Sequence, residues 1–127
     1  MNENQFNSGE SIFENVVYAY TSDEAVNDGI LFDVTAINST WKKGLFNYVT
    51  VSLLRNGYMD EKGQINIANL IDLLNQVNQI VRRESKDFTV FDSFFSGAVE
   101  LPNGNRQKVF MGQNETGKFT IMLPEDY

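Results

Sequence analysis

The chain of 127 residues carries ten lysines and arginines against seventeen aspartates and glutamates, a formal charge of −7, with no cysteine and no histidine. Those absences exclude disulfides, thiolate–metal sites and a cysteine nucleophile, and they remove both the usual zinc ligands and the side chain that titrates near neutrality. Most hydrolase and metalloenzyme mechanisms are excluded with them, no cofactor is expected, and the length fits one domain that buries about two thirds of its unfolded surface.

Residues 1–14, rich in Asn, Glu, Ser and Gly, read as a mobile acidic tail, and 15–127 as a single α+β domain. The start lacks a charged and apolar leader, and no apolar run approaches the ~20 residues that span a bilayer, so a cytoplasmic protein of a bacterial host is expected, away from membranes. "VVYAY", Val16–Tyr20, is β-branched and aromatic, as a short strand is. Next, Thr21 or Ser22 suits a helix N-cap, Asp23 and Glu24 suit the positive end of the helix dipole, and Gly29 suits the left-handed residue beyond its end. "ILFDV" returns to strand, with Ile30, Phe32 and Val34 on one face and Leu31 and Asp33 on the other.

Residues 36–48 show no period and read as irregular, whereas 49–57 fit either a strand or a helix ending at Asn56-Gly57, the helix being favoured. The clearest element is the amphipathic run from Ile67, with Leu70, Ile71, Leu74, Val77 and Val81 at three- and four-residue steps. Asn66 suits its N-cap, Arg82 and Arg83 suit its C-terminal dipole, and Leu73 and Ile80 widen the apolar stripe enough to cover a sheet. Beyond it the period becomes two. "FTVFD", "FFSGAVEL", "RQKVFMG" and "KFTIML" read as an antiparallel β-meander of about four strands packed by that helix, with Val109, Met111, Phe119, Ile121 and Leu123 inward and Lys108, Lys118 and Thr120 outward.

Charge is unevenly placed. Residues 1–40 hold seven acids and no base, whereas 41–127 hold ten of each. An acidic interaction surface of Asp23, Glu24, Asp28 and Asp33 follows, and it argues against nucleic acid as the direct partner of this third, because phosphate binders present lysine and arginine. Local helix rules account for Asp23 and Glu24. Asp28 opposes the dipole and Asp33 interrupts a strand, which makes these two the stronger functional candidates.

Gly117-Lys118 lacks the setting of a phosphate cradle and reads as a hairpin turn, and "DEAVNDG" lacks calcium-loop spacing, so no metal site is expected. Trp41, Lys42, Lys43 and Arg55 interleave aromatic and basic character and form an alternative ligand surface.

Tyr20-Thr21, then Ala25, Asp28, Gly29, Leu31, Asp33 and Val34, and finally Gly112, Gly117, "TIMLP" at 120–124 and Asp126 resemble an uncharacterised family of short proteins carried by bacteriophages, plasmids and conjugative elements. The chain departs from that pattern at Ser22, where the family often has arginine, and at Leu54, near a frequent tryptophan. The resemblance implies a mobile-element origin and no established activity or catalytic residue. Taken with the charge asymmetry, the expectation is a non-catalytic acidic protein that inhibits a host defence or nucleic-acid-handling protein by occupying its basic surface. The alternatives are a small-ligand or nucleotide sponge and an accessory protein of the element, and a homodimer is compatible with each.

Overall fold

The structure is a computed structural model that describes residues 21–37, 44–84 and 94–127. The expected tail, the strand Val16–Tyr20, the "FTVFD" run, and Trp41, Lys42 and Lys43 lie outside the described residues.

Helix α1 (Ser22–Asn27) opens with a reciprocal cap. The Thr21 hydroxyl accepts from the Glu24 N–H at 3.2 Å, and the Glu24 carboxylate accepts from the Thr21 N–H at 2.9 Å, so each residue satisfies a donor the helix start would leave orphaned. Gly29, at φ 76°, turns the chain into β1 (Leu31–Asp33). There follow β2 (Phe46–Thr50), the one-turn helix α2 (Val51–Leu54), the long helix α3 (Ile67–Glu84), β3 (Phe94–Glu100), β4 (Arg106–Gln113), β5 (Phe119–Met122) and a 3₁₀ turn, Pro124–Asp126.

The fold is α+β with a five-stranded mixed sheet in the order β1-β2-β5-β4-β3. β3, β4 and β5 form the expected antiparallel meander. The expectation of an all-antiparallel sheet is corrected at β2, which lies between β1 and β5 and runs parallel to β5. Parallel neighbours need a long crossover, and here that crossover consists of α2, α3, β3 and β4.

A bulge explains why β2 escaped the period count. Phe46 pairs with Phe119 and Tyr48 with Thr120, so Asn47 is an extra residue on its strand. Strict alternation would place Phe46 and Tyr48 on one face. Instead Phe46 joins the core beside the Phe119 ring, at a centroid distance of 6.3 Å, while Tyr48 emerges on the opposite face. The 49–57 ambiguity resolves as strand to Thr50, then one helical turn.

The core lies between α3 and one face of the sheet. Leu70, Leu73, Val77, Ile80 and Val81 pack with Phe95, Val99, Val109, Met111 and Ile121. The buried stripe is rotated from its predicted centre, since Ile67 and Ile71 are 48 % and 40 % exposed. Asn66 caps the helix as expected, accepting from the Asn69 N–H at 3.1 Å, and Arg82 and Arg83 occupy its last turn. Two features fix α3 on β3. A Cβ at Gly97 would stand 2.8 Å from Ile80 Cδ1, so only glycine permits this approach, and the Gln76 carboxamide bonds both the N–H and the C=O of Glu100, at 2.8 and 3.0 Å.

Candidate acidic interface and adjoining cavity

On the sheet face away from α3, register sets Asp33 opposite Tyr48, Tyr48 beside Thr120, Thr120 opposite Gly112, and Gly112 opposite Phe94. α1 is tied to this face through its first two residues. The Ser22 N–H and hydroxyl both donate to the Glu115 carboxylate at 2.9 Å, and the Tyr48 hydroxyl donates to Asp23 at 3.4 Å. The turn joining β4 to β5 is held beneath it by amides: Asn114 donates to Asn47 Oδ1 at 2.8 Å and Thr120 Oγ1 at 3.1 Å, and Asn47 donates to Thr116 Oγ1 at 3.0 Å. Thr120 faces away from α3 as expected, but the turn covers it and leaves it only 6 % exposed, and Lys118 is half-buried with its ammonium donating to the Gly44 carbonyl at 3.1 Å.

Three carboxylates converge on one phenol. Burial raises the Tyr48 pKa, and the negative charges of Asp23, Asp33 and Glu115 raise it further. Burial also opposes ionisation of Glu115, but the hydrogen bonds from the Ser22 N–H, its own backbone N–H and the Ser22 hydroxyl outweigh it and hold the carboxyl below its ordinary range.

The four predicted acids divide by surroundings. Asp23 and Glu24 sit in the first turn of α1 as helix chemistry requires. Asp28 is the exposed C-cap residue of α1. Asp33 has a local role the sequence reading did not assign: its Oδ1 accepts from the Thr35 N–H at 2.8 Å and hydroxyl at 2.6 Å, capping the 3₁₀ turn Val34–Ala36. The structure thus brings Asp23 and Asp33 together around Tyr48 and adds Glu115, which lay in the charge-balanced part of the chain and gave no signal there. Arg55, from the alternative ligand surface, is exposed at the end of α2.

Alongside this cluster a cavity of about 350 Å³ opens between α1, the sheet and the 3₁₀ turn 124–126. Ile30, Leu31, Met122 and Tyr127 supply apolar wall, and Glu115 and Asp126 supply carboxylates. Asp126 is held by Thr50, Ser52 and the Leu123 N–H, all on Oδ2, so among the described residues Oδ1 has lone pairs left for another donor. The Tyr127 ring packs on Phe94 and Phe110 at centroid distances of 5.1 and 5.7 Å.

Among the described residues, no group of three or more Asp or Glu side chains is arranged to hold a metal ion, and no helix is long and apolar enough to cross a membrane. The chain matches no family model, no curated protein and no solved structure.

Proposed function

We propose that this chain is a non-catalytic acidic binding protein that engages a basic protein surface through the α1 face. One arrangement carries the reading: the Tyr48 hydroxyl donates to Asp23 at 3.4 Å, Asp33 lies opposite Tyr48 across the β1–β2 pair, and Glu115 accepts from Ser22 next to Asp23, so acids from α1, β1 and the β4–β5 turn lie on one face. Their hydrogen-bond donors are hydroxyls and backbone N–H groups, which leave the negative charge in place. Clustered charge of one sign speeds and orients association with a surface of the opposite sign. In the setting of a mobile element, such a protein inhibits a host defence or nucleic-acid-handling protein by covering the groove its nucleic acid uses.

The test is a pull-down from bacterial lysate at low and high salt, with the wild-type chain and a variant carrying Asp23→Asn, Glu24→Gln, Asp28→Asn and Asp33→Asn. The amides keep an acceptor oxygen for each cap and remove only charge, so the fold is retained. A basic protein captured at low salt, released at high salt and missed by the variant supports the reading. Equal capture by both chains contradicts it.

A further inference from the structure

The cavity beside the acidic cluster names the group such a partner presents. We infer that it receives a single arginine side chain of the bound protein. This deepens the proposal above and rests on it.

An arginine combines a three-carbon apolar stem with a planar cation of five donors. The cavity combines apolar wall from Ile30, Leu31 and Met122 with carboxylates at Glu115 and Asp126, and the exposed Tyr127 ring at its rim offers a π face. A guanidinium stacks on such a face while its fork reaches carboxylate oxygens, whereas a lysine ammonium is a compact point charge that matches this divided acceptor set less well. Asp126 is prepared for the role, because Thr50, Ser52 and the Leu123 N–H fix its Oδ2 and so aim the carboxylate without neutralising it.

The full chain, isotopically labelled, is titrated with tri-arginine, tri-lysine and tri-citrulline peptides while backbone amide shifts are followed by NMR. Citrulline keeps the shape of arginine and removes its charge. The expected result is saturable shifts for tri-arginine at Leu31, Thr50, Gly112 and Glu115, weaker binding of tri-lysine, and no binding of tri-citrulline. Paired Glu115→Gln and Asp126→Asn substitutions weaken tri-arginine by about tenfold or more, the scale of one charge-assisted hydrogen bond. Ile30→Arg does the same by placing a cation of the chain's own at the mouth; that side chain is 51 % exposed, so the fold tolerates the change. Shifts spread over Asp23, Glu24, Asp28 and Asp33 with none at the cavity would overturn the arginine pocket and leave the acidic-surface reading standing. Tri-lysine binding as tightly as tri-arginine would overturn the guanidinium assignment, and no salt-sensitive binding of either cationic peptide would overturn both.

Discussion

Three side chains, Tyr58, Tyr48 and Glu115, tie stability to single ionisable or hydrogen-bonding groups. Tyr58 is fully buried, its hydroxyl has no hydrogen-bond partner among the described residues, and burial followed by the charge of Asp72 pushes its pKa up to about 12. An unsatisfied buried hydroxyl costs about 1–3 kcal/mol, so Tyr58→Phe should raise stability by about 1 kcal/mol in urea denaturation, with no change in slope. Tyr48 and Tyr58 both have raised pKa values, so the folded state holds their protons more tightly than the unfolded chain. Both contributions are complete below pH 10 and are lost above it, that of Tyr58 as pH rises through about 12. Glu115 has the opposite sign: its lowered pKa contributes stability above the ordinary carboxylate range, lost as pH falls through it. A pH series of denaturation midpoints on wild-type and Glu115→Gln checks this, with the variant losing less stability on acidification. Asn66 and Gly29 take their expected places, and the N-cap left open between Thr21 and Ser22 falls on Thr21, because caps obey local rules. Glu115 and Asp126 gave no such signal because their roles depend on Ser22 and Thr50, 93 and 76 positions away.

At the scale of elements, legibility followed the regularity of the pattern. α1, α3 and the three meander strands stood out by cap and period. β2 did not, because Asn47 interrupts the alternation on which a strand is recognised, and its parallel pairing with β5 is a long-range fact no local pattern encodes. The rotation of the α3 stripe has a related cause: its apolar positions wrap widely enough that periodicity alone does not choose which arc faces the sheet, and the close approach of Ile80 to Gly97 makes that choice. Gly97→Ala should therefore cost about 1–3 kcal/mol through overpacking, read from the denaturation midpoint. Gln76→Ala should expose the end of β3 by removing both bonds to Glu100, seen as faster hydrogen exchange of the Glu100 amide and little change at Val109.

For the molecule as a whole, the sheet separates two tasks. One face is filled by α3 and supplies the core. The other carries α1, the β4–β5 turn and the 3₁₀ turn 124–126, with the acids and the cavity between them. Composition shows that Asp23, Glu24, Asp28 and Asp33 lie in a stretch without bases. Glu115 and Asp126, which folding sets beside α1 and the cavity, come from the part of the chain where acids and bases balance, so composition carries no signal of them.

The most direct test of an acidic surface engaging a basic protein is the affinity of the purified chain for its captured partner as a function of salt concentration, beside a variant with Asp23, Glu24, Asp28, Asp33 and Glu115 changed to their amides. Wild-type affinity should fall steeply from low to physiological salt, and the amide variant, still folded but less stable by the lost Glu115 contribution, should bind weakly with a shallow salt dependence. Wild-type affinity indifferent to salt, or matched by the variant, would contradict an acidic interface.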